Sequence, residues 1–232
     1  MKIVSPKIKN YIEYSIMDSI NDNDFSNKLY NTNIEDNVII RDITFDSCIF
    51  NNINFNNIKL DNVDLIDVIF KNSDLSNQVF DNKLLSRVVF DNCKLLGTSF
   101  VNSSLKDVSF SSSNSKYTNF FTSSLNNIEI IDSNFSNSIF TESKIKNISL
   151  HNSTFNETEF IRTNLKDVDF STCNIEKDKQ LLFNYIKDKK ISFVYCAASV
   201  EFSRQIMNIL NSVDKNIKLS ISNNNLICCG EG

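Results

Sequence analysis

The chain has no tryptophan, one proline, three glycines and a single histidine among its 232 residues. Each scarcity removes a class of explanation. Three glycines leave no phosphate-cradling loop and no dinucleotide fingerprint. The lone histidine, His151, has no evident nucleophile or acid partner by spacing and, following Leu150, is expected to face solvent. No apolar run approaches the ~18 residues that a membrane span requires, and residues 1–10 lack the apolar stretch of a secretory signal. The six cysteines include no paired metal motif; Cys228 and Cys229 are adjacent but have no second ligand pair. The expectation is a soluble, cytoplasmic protein that is not an enzyme and holds no metal or cofactor.

What is present is a period. From Ile40 to Ile175 every fifth residue is large and apolar: of 28 positions, 14 are Phe, 9 Leu and 4 Ile, with Ser115 the exception. A second stripe runs two residues earlier, from 38 to 173, and 26 of its 28 members are Ser, Thr, Cys, Val or Ile. A helix repeats at 3.6 residues and a flat strand at 2, so neither explains two stripes locked at five. Short repeats of this kind mean a solenoid.

The spacing builds the coil. The large residue and the small one two positions before it point inward, and the other three point out. Four such sides close a square of 20 residues, and stacking squares at ~4.8 Å pairs each backbone with the coils above and below. Twenty-eight pentapeptides give seven coils and a rod roughly 34 Å long. Burying each Phe or Leu contributes ~1.5–3 kcal/mol, enough for a core without a globular domain.

Residues 20 apart then stack, as Asn52, Asn72 and Asn92 do, and Asn62, Asn82 and Asn102. Asn ladders hydrogen-bond along such an axis, and Asn tolerates the left-handed conformation at corners where glycine is scarce. A biased base composition is the bland alternative. Cys48, Cys93 and Cys173 lie on the inward small stripe and read as buried fillers. Gln78 and Lys83 break that stripe, and a local bulge turning them outward is expected. Tyr117 is expected to fill part of the gap at Ser115.

Charge is uneven. Residues 41–176 carry 17 Asp and Glu against 12 Lys and Arg, whereas residues 177–232 carry 5 against 8. An acidic rod argues against a nucleic-acid binder. The acidity gathers early, at Asp61, Asp64, Asp67, Asp74, Asp81 and Asp91, and Asp61 stacks with Asp81. Such a face either keeps the rod solvated or receives a partner.

Beyond Ile175 the period stops. Leu181 with Tyr185 and Leu182 with Ile186 are spaced i, i+4, predicting an amphipathic helix over 177–190 that covers the open end of the rod. Residues 191–196 read as a strand, 199–213 as a helix and 217–221 as a strand. The segment 191–232 is thus an appended α/β unit of unassigned role, or an extension that alters or blocks a contact made by the helix before it. Residues 1–24 form a lead-in, and 25–176 the repeats.

Stretches such as Asn72-Ser73-Asp74-Leu75-Ser76, Asn102-Ser103-Ser104-Leu105-Lys106 and Thr163-Asn164-Leu165-Lys166-Asp167 resemble the A(D/N)LXX unit of the pentapeptide repeat family. The resemblance implies a right-handed quadrilateral β-helix. The length, short lead-in, unbroken coils and terminal helix further resemble the Qnr-type quinolone resistance proteins of Gram-positive bacteria, as does the run from Cys93 to Phe100 followed by Leu105-Lys106-Asp107. That likeness implies a DNA-mimicking rod that binds DNA gyrase or topoisomerase IV, with the six aspartates standing in for phosphates, and a homodimer made through Leu181, Leu182, Tyr185 and Ile186. A repeat scaffold with another partner is the alternative. Neither reading involves membrane or nucleic acid.

Overall fold

The computed structural model describes residues 3–175. The chain enters through β1 (Ile12–Glu13) and a short helix, α1 (Ile16–Asp22). Ser15 caps that helix by accepting the Asp18 N–H at 3.0 Å, and Asn23 ends it at φ 51°. Its apolar face, with Ile16 buried, closes the first end of the rod. Inside that end the buried hydroxyls of Ser19 and Tyr30 meet at 2.9 Å.

The coils follow: β2 (Lys28–Tyr30), β3 (Val38–Asp46), β4 (Ile49–Asn51), β5 (Ile58–Lys71), β6 (Leu84–Asp91), β7 (Ser104–Ser111), β8 (Ser124–Ile131) and β9 (Lys144–His151). Every pairing among the described strands is parallel, and from β2 onward partners lie 20 residues apart, as in Leu65↔Leu85 and Phe90↔Phe110. The β-solenoid of about seven turns read from the five-residue period is therefore present.

The square has four sides. Side A is centred on 45, 65, 85 and so on to 165; side B on 50 to 170; side C on 55 to 175; side D on 40 to 160. Corners fall two residues after each centre, and nearly all are left-handed, from Asp42 at φ 55° to Asp167 at φ 65°. Asn occupies many of them, including Asn52, Asn62, Asn72, Asn77, Asn82, Asn92 and Asn102. Its short polar side chain makes that conformation cheap. One corner uses glycine: Gly97 at φ 68°, where an added Cβ would lie 2.7 Å from Asn77 Oδ1.

The two halves of the square differ. From β5 to β9 sides A and B form continuous strands bent at their corner, and their small inward residues along B are β-branched: Val68, Val88, Val108, Ile128 and Ile148. Side D is paired strand only in the first two coils, where Ile40 faces Leu60; beyond them sides C and D hold only isolated bridges, such as Asp74↔Lys94 and Val79↔Ser99, joined by turns closed by bonds like Thr98 N–H to Leu95 O at 3.1 Å. There the small stripe is mostly Ser and Thr. Ser73, Ser113, Ser133 and Ser153 each accept an amide from the coil below, at 3.0–3.1 Å, and donate to a nearby carbonyl. Small inward hydroxyls are thus the partners of backbone groups the ladder leaves over.

The core is four columns. Phenylalanine dominates two opposite ones: Phe50, Phe70, Phe90 and Phe110 stack on side B at 4.9–5.2 Å, and Phe80, Phe100, Phe120, Phe140 and Phe160 on side D at 4.7–5.5 Å. Leucine holds most of side A, while side C mixes Leu75 and Leu95 with Phe55, Phe135 and Phe155. Cys48 and Cys93 are buried among them, which pushes their thiols up to about 11 and about 12.

Three expectations change. No bulge expels Gln78. Its side chain stays inside, donating to Phe55 O at 3.2 Å and Ile58 O at 2.8 Å and accepting from the Leu60 N–H at 3.1 Å. The coil below needs those bonds, because a 3₁₀ turn over Phe55–Asn57 replaces the left-handed corner at Asn57. Lys83 does turn partly outward, without a bulge, and its ammonium reaches Asn62 Oδ1. Tyr117 does not fill the Ser115 gap, since it is 57% exposed. Phe135 instead meets Phe110 edge-on at 5.4 Å, and Ser115 Oγ is left buried without a partner.

The expected helix over 177–190, with Leu181, Leu182, Tyr185 and Ile186, the appended unit over 191–232, and Cys228 and Cys229 all lie outside the described residues.

Candidate interaction surface

Every outward column is indexed to the backbone ladder, so side chains one coil apart can bond along the axis. Asn92 donates to Asn72 Oδ1 and Asn102 to Asn82 Oδ1, each at 2.7 Å, and Asn147 to Asn127 Oδ1 at 3.0 Å. The expected ladder is therefore partial: Asn62 pairs with Asp42 at 2.6 Å and with Lys83 instead of with Asn82. Ion pairs use the same register: Arg87 with Asp67, Lys94 with Asp74 at 3.6 Å, Arg162 with Glu142 at 2.7 Å.

The six early aspartates do not form one face. Asp61 and Asp81 share side D, Asp64 lies on side A, Asp74 on side C and Asp91 on side B, while Asp67 occupies the corner between A and B. Several are engaged. Asp64 accepts the Leu84 N–H at 2.7 Å, Asp74 the Ser76 amide and hydroxyl at 3.1 and 2.6 Å, and Asp81 the Ser99 hydroxyl and Val101 N–H at 2.5 and 2.9 Å. Asp61 and Asp91 have no side-chain hydrogen bond among the described residues and are half-exposed.

Asp67 is a different kind of residue from its neighbours. It is 6% exposed, and Arg87, one coil above, donates from Nε to Oδ1 at 2.6 Å and from Nη2 to Oδ2 at 2.7 Å. The guanidinium, followed by the Lys7 N–H at 2.8 Å, holds its carboxyl below the usual carboxylate range against the opposing effect of burial. Asp67 faces outward in the coil but is covered, so it is not a freely displayed charge like Asp61 or Asp91. Arg87 and Asp107, on the same corner column, were not among the expected site residues. Counting in twenties from Asp67 reaches both.

Around the coils, side B has the simplest charge: Asp91, Glu129, Asp132 and Asp169 against Lys71 alone. Sides A and C are close to balanced, and side D carries Asp42, Asp61, Asp81, Glu142 and Glu159 against Arg41, Lys59 and Arg162. His151, exposed on side B as expected, does have a neighbour that spacing alone left out: Ser149 Oγ lies 3.0 Å from its Nε2. Among the described residues no group of three or more His, Cys, Asp or Glu is placed to hold a metal, and no helix is long and apolar enough to cross a membrane.

A rod of parallel 20-residue coils with inward Phe/Leu and left-handed corners defines a pentapeptide repeat solenoid. Family models agree: a pentapeptide repeat region matches residues 63–134, and pentapeptide repeats match 40–77 and 133–171. The chain belongs to the pentapeptide repeat family. Among solved structures, a trypsin-treated form of QnrB1, a plasmid-mediated fluoroquinolone resistance protein, is 16% identical over 73% of this chain and 89% of its own, with a TM-score of 0.32. Rfr23 from the cyanobacterium Cyanothece 51142 is 14% identical over 53% and 87%, TM-score 0.30. HetL from Nostoc sp. strain PCC 7120, a protein involved in regulating heterocyst differentiation, is 10% identical over 69% and 75%, TM-score 0.25. No curated protein matches the sequence.

Proposed function

We propose that the protein works by binding, as a rigid pentapeptide repeat scaffold whose outward columns hold a protein partner. The observation that carries this reading is the cross-coil register. Asn pairs and ion pairs repeat at 20 residues, so the surface is fixed to the backbone ladder and costs little ordering on association.

The finer reading is that the partner is DNA gyrase or topoisomerase IV, engaged by a DNA-like acidic rod and thereby protected from quinolones. Its support is the acidic excess of the repeats, 17 against 12 over residues 41–176, and side B with its single lysine. The spread of Asp61, Asp64, Asp74, Asp81 and Asp91 over four sides favours the scaffold with another partner, since a phosphate-like track needs one face. A homodimer through Leu181, Leu182, Tyr185 and Ile186 belongs to the finer reading.

The experiment is gyrase supercoiling with and without ciprofloxacin across a titration of this protein, alongside the fivefold Asn variant of the five displayed aspartates. Protection by the wild type that weakens in the variant and with rising salt supports the gyrase reading. Absence of protection removes it and leaves the scaffold with another partner. Sedimentation of the wild type against Leu182→Glu with Ile186→Glu tests the dimer.

A further inference from the structure

Residues 3–10 are not part of any coil, yet they are held against the rod. The Lys7 N–H donates to Asp67 Oδ1 at 2.8 Å and the Val4 N–H to Asp107 Oδ1 at 3.3 Å. Both acceptors are corner carboxylates between sides A and B. Each is more than nine-tenths buried, at 6% and 4% exposure, and each is oriented by a second bond: Asp67 by Arg87, and Asp107 by the Asn127 amide at 3.0 Å.

The spacing of donors and acceptors agrees. Val4 and Lys7 are three residues apart, ~10 Å in an extended chain. Asp67 and Asp107 are two coils apart, ~9.6 Å at the ladder spacing. The segment therefore runs extended along the rod axis, across the coils, and descends to β1, where Ile12 pairs with Lys28. In chain order Pro6 falls between the two donors, and in column order Arg87 falls between the two acceptors. A proline presents no N–H to that cation. The side chains of Val4 and Lys7 are exposed, while Ile3, Pro6 and Ile8 are half-buried.

We propose that the corner between sides A and B is a docking track for an extended, lysine-bearing peptide, and that residues 3–10 are its built-in occupant. The track recognises main-chain amides, which every extended segment carries, by carboxylates set at the pitch of a β-strand. Lys7 and Lys9, with no acidic residue between positions 1 and 12, supply the matching charge. Tethering gives the internal strap a high effective concentration, so an outside peptide must displace it. A single partner segment of the same chemistry would be read in the same way, on a surface separate from the displayed aspartates of sides B, C and D.

The test uses the full chain and a fluorescein-labelled peptide of residues 3–10. Val4→Pro with Lys7→Pro removes the strap's two amide donors and leaves the rod untouched; Val4→Ala with Lys7→Ala keeps them. At low salt the peptide should bind the Pro variant about tenfold or more tighter than the wild type or the Ala variant. That binding should be lost when Asp67→Asn and Asp107→Asn are added. It should also be lost with a peptide N-methylated at the positions of Val4 and Lys7, a control that leaves the protein unchanged. Equal binding to wild type and Pro variant, or binding indifferent to N-methylation, would overturn the proposal.

Discussion

Arg87 stands one coil above Asp67 and grips both oxygens of its carboxylate, at 2.6 and 2.7 Å. The bidentate geometry is the strongest form of such a pair, and here it joins two coils at the one corner where the strand continues unbroken from side A to side B. It also orients the carboxylate that receives Lys7.

The pair makes stability depend on acid. Asp67 titrates lower when folded than when unfolded, so its contribution is complete above the ordinary carboxylate pKa of ~4 and is lost as pH falls through the lowered folded value. Asp67→Asn should cost about 1–2 kcal/mol at pH 7, with the gap to wild type closing below about pH 4. Thermal melts of both proteins from pH 7 to pH 2 measure this; a gap constant across the range would count against it.

Gln78 substitutes for an absent corner. Removing its amide in Gln78→Ala leaves Phe55 O, Ile58 O and Leu60 N–H without their partner, a loss of about 3 kcal/mol. Gln78→Thr should recover part of this, since Thr98 in the next coil bonds Leu75 O at 2.9 Å, the contact equivalent to Gln78 with Phe55 O. Urea titration would rank the three proteins; a neutral Ala variant would mean that the 3₁₀ turn supports itself.

Ser115 should be improvable. Its hydroxyl is fully buried and unpartnered, so Ser115→Ala removes a desolvated polar atom and is expected to stabilise by about 1 kcal/mol, raising the melting temperature. A lower melting temperature would show that the hydroxyl has a partner in solution.

Gly97 tests the corner rule. The left-handed φ of 68° disfavours a side chain, and a Cβ there would press on Asn77 Oδ1. Asn77 can give way, so the backbone term dominates: Gly97→Ala should cost about 1 kcal/mol and Gly97→Asn less. Calorimetry that finds Asn no better than Ala would remove conformational preference as the reason Asn fills these corners.

The core was legible because one period governs it. Phe100 could be placed inward from spacing alone, and Cys48 and Cys93 likewise. Asn at the corners followed from the shortage of glycine. The arrangement of the acidic surface was less legible, because closeness in sequence is not closeness on a square: Asp61 and Asp64 sit on different sides, while Asp67 and Arg87, twenty apart, touch. Gln78 was misread because a long polar side chain on an inward stripe was assumed to lack partners, and the backbone irregularity that supplies them has no signature in the period. The strap along the Asp67–Asp107 column has no repeat at all, so periodicity could not find it.

Because each coil pairs only with the next at a fixed offset, the rod behaves as a counted object. Inserting or deleting 20 residues changes its length by one coil and leaves every column on its own side. A change of five keeps Phe and Leu inward yet rotates everything beyond it by a quarter turn, moving Arg87 off Asp67 and redistributing the charges among the four faces. Changes that are not a multiple of five break the core. The same fold can therefore keep its interior through a five-residue slip while exchanging one outer surface for another.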